Sequence, residues 1–249
     1  MRSGEVSVPQ LSSGNVIDVS APINWSAAVS GGVRAVIIKA TEGSTYVSPT
    51  YLSSRSAARS AGLAVASYHF LRTTSSADKQ AFWYSFQADP ALNERMILDA
   101  EPYQGQTPAL SDVMLFINTL RDARPNPISL YGPESYLTSI GAAQIPGVDL
   151  WVANWTREPA IPYALWQYIG NQKQYGGVED PNIFNGSETE MLAWFGAAPA
   201  ADLSTVKGLQ TALIGAGYKI TTDGFYGPQT GAALSQATYN GKSFVPPSV

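Results

Sequence analysis

The sequence predicts an α/β protein: an irregular, TIM-like β/α barrel with a small helical module at its C-terminal end. Three observations predict it. Short apolar runs recur as far as Phe184, helical stretches separate the early ones, and carboxylates stand where one central run ends. Near-continuous apolar strands followed by helices indicate a parallel sheet buried on both sides. Seven or eight such units suggest closure into a barrel, where chemistry sits at the C-terminal ends of the strands.

The strand candidates, in order, are Val16–Val19, Ala35–Ala40, Leu63–Phe70, Met96–Ala100, Pro127–Tyr131, Leu150–Trp155 and Ala164–Ile169, with a short one over Asn182–Phe184. Helices are expected over Tyr51–Ala61, Ser76–Ala88 and Leu110–Arg121, closed by the breakers Gly62, Pro90 and Pro125. The later units have weaker helices, which makes the barrel irregular. After Trp194-Phe195-Gly196 the small-residue stretch Ala197-Ala198-Pro199-Ala200-Ala201 reads as a linker. The division expected is therefore a barrel over 1–196, a linker over 197–202 and a module over 203–249. In the last segment Leu203, Val206, Leu209, Leu213 and Ile214 fall at helical spacing, and Asp223-Gly224 and Gly227-Pro228 make turns. A hairpin of helices packed on the barrel is the other reading, since an independent core is marginal at this size.

Composition excludes several classes of function. Charged residues are only 14%, hydrophobic residues 45% and aromatic residues 11%, the profile of a folded chain rather than a disordered one. With a net charge of −4 and no long Lys/Arg cluster, electrostatic binding to nucleic acid or anionic lipid is not expected. The chain has no cysteine and one histidine, His69, so thiolate and multi-histidine metal sites are excluded. A Ser-His-Asp triad would have to use His69, and no G-x-S-x-G elbow is present. Neither an apolar signal-peptide core after Met1-Arg2-Ser3-Gly4-Glu5-Val6 nor a membrane-spanning run is seen. The expectation is a product made in the cytoplasm without a leader, any export coming by another route.

The most informative stretch is Met96-Ile97-Leu98-Asp99-Ala100-Glu101-Pro102. Residues i and i+2 of a strand share a face, with Cα atoms roughly 6.6 Å apart. Two acids so held at the exit of a buried strand raise one another's pKa, so one stays protonated while its neighbour is ionised. A proton donor beside a stabilising carboxylate is what glycosidic bond cleavage needs.

The barrel segment resembles glycoside hydrolase family 25, the bacterial and phage N-acetylmuramidases. The stretches that carry the resemblance run in family order. They are Ile17-Asp18-Val19-Ser20, Ile38-Lys39-Ala40-Thr41-Glu42-Gly43, Ala61-Gly62-Leu63, Tyr68-His69-Phe70, Leu98-Asp99-Ala100-Glu101, Trp151-Val152-Ala153, Trp166-Gln167-Tyr168 and Asp180-Pro181-Asn182-Ile183-Phe184. The family fold is a flattened, irregular β/α barrel. The resemblance implies a site of four acids, Asp18, Asp99, Glu101 and Asp180. Glu101 would be the general acid, and Asp99 would orient or stabilise the substrate's N-acetyl group as it attacks the anomeric carbon. Asp18 and Asp180 would raise the pKa of Glu101 and hold the sugar. Without the resemblance, Asp18 reads as an acid ending the first strand and Asp180 as a turn residue before proline.

Tyr68, Tyr131, Trp151, Trp155 and Trp166 lie at or near strand ends, where flat aromatic faces can pack on the C–H faces of sugars. Each also reads as a core residue. A structural hydrogen bond is expected for His69, and a salt bridge at the barrel mouth for Lys39 and Glu42. One departure stands out. The family usually has a longer stretch, including Tyr-Gln-Gly, between the first Asp and the following Trp, whereas here Asp18 reaches Trp25 through Val19-Ser20-Ala21-Pro22-Ile23-Asn24. Glycan contacts of that loop do not carry over.

The C-terminal segment resembles the small helical peptidoglycan-binding module of wall hydrolases. The match lies over Val206-Lys207-Gly208-Leu209-Gln210-Thr211-Ala212-Leu213, Gly217-Tyr218 and Asp223-Gly224-Phe225-Tyr226-Gly227-Pro228-Gln229-Thr230. Its last helix stops early, at Tyr239-Asn240-Gly241, before an extended Pro246-Pro247 end. Together the two resemblances imply a muramidase that hydrolyses the β-1,4 bond between N-acetylmuramic acid and N-acetylglucosamine with retention. They imply no metal or organic cofactor, peptidoglycan as partner, and neither nucleic acid nor membrane. The expected state is a monomer. The layout resembles a phage endolysin that reaches the wall through a membrane lesion. A bacterial autolysin, a non-catalytic wall-binding protein on a degenerate barrel and a chitinase-like enzyme are the competing readings.

Overall fold

The computed structural model describes residues 15–91, 93–196, 205–215 and 218–239. The linker 197–202, Leu203, the chain start and the end beyond Tyr239 lie outside them. The chain forms two compact units, Met1–Gly196 and Ala197–Val249.

In the first unit the strands are β1 (Asn15–Val19), β2 (Val33–Glu42), β3 (Tyr46–Val47), β4 (Ala64–Phe70), β5 (Met96–Asp99), β6 (Ile128–Pro133), β7 (Val148–Ala153), β8 (Leu165–Gln167) and β9 (Glu179–Phe184). Their order is β1-β9-β8-β7-β6-β5-β4-β2-β3, and a β1–β2 pairing closes the barrel, with β3 as a hairpin arm on β2. The helices are α1 (Trp25–Ser30), α2 (Tyr51–Ser60), α3 (Ala77–Ala88), α4 (Leu110–Ala123), α5 (Glu134–Ser139) and α6 (Glu188–Trp194). The periodicity behind α4 is plain: Val113, Phe116, Ile117 and Leu120 are its buried residues, the stripe of an amphipathic helix. Helix α3 ends at Asp89, left-handed at φ 39°, just before Pro90.

The expected all-parallel sheet needs one correction. Strands β1, β2, β4, β5, β6, β7 and β8 are parallel, but β9 runs antiparallel to both β8 and β1. The helix-free connection from β7 still crosses over to a parallel β8, whereas the chain after β8 folds back on itself through the antiparallel Gln172–Glu179 bridge, so β9 meets β8 antiparallel. This reversal brings the beginning of β9, rather than its end, to the mouth where the other strands finish. Strand β7 stops at Ala153, so Trp155 lies on the following loop instead of a strand.

The core is shared between the apolar strands and the inner faces of the helices, with Ile17, Val36, Leu98, Phe116, Leu130 and Val152 among its members. One glycine positions the site. A Cβ on Gly132 of β6 would lie 2.6 Å from the carbonyl oxygen of Ala100. Glycine there lets the backbone between Asp99 and Glu101 press against β6.

The second unit pairs α7 (Val206–Gly215) with α8 (Pro228–Tyr239) around Leu209, Leu213, Ala233 and Ala237. Gln210 ties the intervening turn together. Its Nε2 donates to Asp223 Oδ1 at 2.7 Å and Thr230 Oγ1 at 3.1 Å, and its Oε1 accepts from the Gly224 N–H at 2.8 Å.

Candidate active site

Three strands deliver the four acids to one end of the barrel. Asp99 is the last residue of β5, and Glu101 follows just past the strand. Asp18 lies one residue before the end of β1, and Asp180 is the second residue of the reversed β9. The two are direct partners in the β1–β9 pairing.

Their surroundings differ. Asp18 and Asp99 are buried, while Glu101 and Asp180 are part-exposed. Burial raises the pKa of Asp99 well above the ordinary carboxylate range, Glu101 and Asp18 add to it, and the Lys39 ammonium opposes it. Burial likewise raises Asp18, reinforced by Asp180, against hydrogen bonds from Asn182 and Gln167. Glu101 is raised by burial and by Asp180, and again Lys39 opposes. Asp180 is raised by burial and by Glu179, against a bond from the Asn171 N–H. Acids so enclosed favour protonated members near neutral pH, the state a proton donor needs. Among the described residues Asp99 Oδ1 has no hydrogen-bond donor, and no three acids or histidines are placed to share a metal ion.

Lys39 and Glu42 form the mouth salt bridge at 2.7 Å, and Arg72 joins Glu42 at 3.3 Å. The Arg72 guanidinium stacks 4.6 Å over the ring of Tyr103. His69 is enclosed away from the acids, its Nδ1 2.8 Å from Thr41 Oγ1 and its Nε2 3.1 Å from Gln80 Oε1. Gln80 Oε1 also accepts the Arg72 N–H, while Gln80 Nε2 donates to two carbonyls. Nε2 of His69 is therefore the protonated nitrogen and Nδ1 the acceptor. The histidine is structural.

The five aromatic candidates separate. Tyr68 on β4 is half-buried, and Tyr131 on β6 is buried. Burial and the nearby Asp99, Asp18, Asp180 and Glu101 charges raise both phenols well above their usual pKa, so both belong to the acid-lined mouth. Trp151 and Trp166 are 2% and 4% exposed and offer no open face to a ligand. Their indole N–H groups hold Asn182 Oδ1 and the Asn154 carbonyl. Trp155, at 58%, is the open one. Sequence reasoning missed Gln167 and Asn182, whose amides donate to Asp18 Oδ2 at 3.1 and 2.8 Å. Both lie in stretches that carry the resemblance, but an uncharged amide gives no sign of its partner.

Residues 16–177 match the sequence pattern of "Glycosyl hydrolases family 25". The chain belongs to this family. Lysozyme M1 of Streptomyces globisporus is 31% identical over 213 residues, a span of 71% of this chain and 69% of that protein. The N,O-diacetylmuramidase of Arthroderma benhamiae is 27% identical over 190 residues, covering 68% and 80% respectively. Among solved structures, the bacterial lysozyme from Streptomyces coelicolor matches with a TM-score of 0.67 at 25% identity, over 76% of this chain and 100% of that one. The family 25 barrel is thus the fold and the glycosidase class of this chain.

Proposed function

We propose that the protein is a peptidoglycan hydrolase, an N-acetylmuramidase that cleaves the β-1,4 bond between N-acetylmuramic acid and N-acetylglucosamine. The observation that carries the reading is the meeting of Asp18, Asp99, Glu101 and Asp180 at the mouth of a family 25 barrel. Glu101, the more accessible of the D-x-E pair, gives its proton to the leaving glycosidic oxygen. The buried, donor-free Oδ1 of Asp99 suits the acetamido N–H of the substrate. Receiving it favours ionised Asp99, and the ionised carboxylate stabilises the positive charge that develops as the acetamido oxygen attacks C1. Configuration is retained by this substrate-assisted route. Asp18 and Asp180 hold the sugar from the β1–β9 side, and Tyr68, Tyr131 and Trp155 line its path.

The second unit is assigned to wall binding, on the resemblance of its Asp223–Thr230 stretch. A catalytic barrel followed by such a module is the layout of a phage endolysin acting after release through a membrane lesion. A bacterial autolysin shares it.

Purified bacterial walls test the reading. Turbidity should fall, new reducing ends should appear, and mass spectrometry should find N-acetylmuramic acid at the reducing end of the fragments. Fragments ending in N-acetylglucosamine overturn the bond assignment, and intact walls overturn the enzyme.

A further inference from the structure

Asp18 Oδ2 accepts two side-chain amides, Asn182 Nδ2 at 2.8 Å and Gln167 Nε2 at 3.1 Å. An amide can present either its oxygen or its NH2, so what lies behind it decides which end faces the carboxylate. Behind Asn182 stands Trp151, whose Nε1 is 2.6 Å from Asn182 Oδ1. Indole N–H only donates, so this oxygen is fixed. The Asn182 NH2 also donates to the Asp180 carbonyl at 2.8 Å, which locks it from a third side.

Gln167 is held less completely. Its Oε1 accepts from Tyr131 Oη at 2.9 Å and from Trp155 Nε1 at 3.2 Å. A phenol can accept as readily as it donates, so Tyr131 tolerates either end of the amide. Trp155 alone discriminates. Its ring is exposed at the mouth, and it lies against Gly170, where a Cβ would come 2.7 Å from its Cζ2. The missing side chain at Gly170 is what admits the indole.

We propose that Gln167 is a positioning residue for Asp18, oriented by the indole N–H of Trp155, so that the ring exposed at the rim and the carboxylate beneath it behave as one unit. If the indole N–H is lost, the amide can turn, donating to Tyr131 Oη and presenting Oε1 to Asp18. A carbonyl oxygen repels a carboxylate but accepts from a carboxylic acid. The seated amide therefore selects ionised Asp18, and the turned amide selects protonated Asp18. The titratable groups facing Asp18 are Asp180 from β9, Asp99 from the end of β5, and the phenols of Tyr68 on β4 and Tyr131 on β6, with Glu101 acting next to Asp99 and Asp180. Lys39 on β2 acts on Asp99 and Glu101. The acids among these and burial work against the ionised form, so the Trp155 donor weighs on a finely opposed balance. This inference rests on the muramidase reading in one respect: a sugar packed on Trp155 would hold the indole in its seat and thereby fix Asp18.

The full chain and its Trp155→Phe and Gln167→Met variants test this by two measurements. One is kcat and KM against pH on soluble, uncross-linked glycan strands from purified walls. The other is a carboxyl-13C titration of Asp18 without substrate, assigned by the resonance that Asp18→Asn removes. Trp155→Phe keeps a flat aromatic ring, smaller than the indole, and removes the N–H. The expected result is kcat lower by about 3- to 10-fold, the scale of one lost hydrogen bond, and Asp18 titrating at higher pH than in wild type, while any rise in KM reports the smaller stacking face. Gln167→Met, which removes the donor without presenting an acceptor, should move both readouts in the same direction. If Gln167→Met does not fold, Trp155→Phe decides alone. An unmoved Asp18 titration in Trp155→Phe overturns the coupling, whatever happens to kcat. A wild-type chain inactive on the strands, with the titration shift present, overturns the muramidase reading and upholds the coupling.

Discussion

Asp18 and Asp180 stand directly opposite each other in the antiparallel β1–β9 pair. Like charges so placed destabilise a sheet, and burial adds to the cost on the Asp18 side. Nothing in the folding of β1 or β9 asks for two acids there. Their company makes sense only as chemistry at the mouth of the barrel.

The pair yields the first prediction. Asp180→Asn removes the repulsion and should raise stability by up to about 1 kcal/mol, or ~2–4 °C in melting temperature. Glycan hydrolysis should fall in the same variant. Calorimetry and reducing-end release measure the two. A variant that melts lower would mean that Asp180 serves the fold through its Asn171 contact rather than burdening it.

Glu101→Gln keeps the shape but has no proton to give. Turnover should drop by at least ~10²-fold, the scale of a lost general acid, with the melting temperature unchanged or higher. Asp99→Asn should also impair turnover, while removing a carboxylate whose charge burial and Glu101 disfavour. Wall lysis by Glu101→Gln near the wild-type rate would remove Glu101 from the acid role.

Much of this was legible in the sequence. The seven parallel strands announced themselves as apolar runs, and Asp99 and Glu101 as acids at the exit of one. What stayed hidden depends on contacts distant in sequence. Strand β9 was read only over Asn182–Phe184, because Pro181 and the acids before it look like a turn; its pairing with β1 supplies the ladder that the local sequence does not suggest. The short helices α1, α5 and α6 bury too few residues for a clear period. Gln167 and Asn182 reach Asp18 across 149 and 164 positions, a separation no local pattern spans. Trp151 and Trp166 were equally compatible with core and with cleft until burial distinguished them.

Lys39 sets the pH range. Its ammonium favours the ionised forms of both Asp99 and Glu101. In Lys39→Met each carboxyl holds its proton to higher pH. A general acid works in its protonated form, so the alkaline limb of the kcat/KM profile should move to higher pH. Arg72 remains to pair with Glu42, which limits structural damage. An alkaline limb at or below the wild-type position contradicts the assignment of Glu101 as donor.

His69 governs stability rather than rate. Burial lowers its pKa from 6.5 to about 3, so below pH 6.5 the unfolded chain takes up a proton that the folded chain refuses. Stability from this group is therefore present above pH 6.5 and lost as pH falls towards 3, at up to about 1.4 kcal/mol per unit. Asp18 and Asp99, raised in the fold, act oppositely: their contribution is present at low pH and lost as pH rises from the ordinary carboxylate range through their folded values. His69→Gln isolates the histidine. The stability gap between wild type and variant, from urea unfolding, should shrink by about 2 kcal/mol between pH 7 and pH 5. A gap independent of pH would mean that His69 accepts a proton in the folded state.

The last prediction is stereochemical. Asp99 ends β5 and Glu101 follows two residues later, with the backbone between them pressed on Gly132. Two carboxyls so tethered do not readily sit on opposite faces of a sugar with a water between. Inverting enzymes need roughly 6.5–9.5 Å between carboxyl groups to admit that water. Attack by the substrate's own acetamido oxygen removes the requirement. The first inversion forms the oxazolinium as the leaving oxygen takes the Glu101 proton; in the second, water enters from the face the leaving group vacated, with Glu101 as base. Two inversions restore the β configuration. Proton NMR of the first-formed product, read before mutarotation, should show the β-anomer, and Asp99→Asn should slow its appearance because the cationic intermediate loses its partner. An initial α-anomer would instead make Asp18 or Asp180 the base that activates water across the mouth.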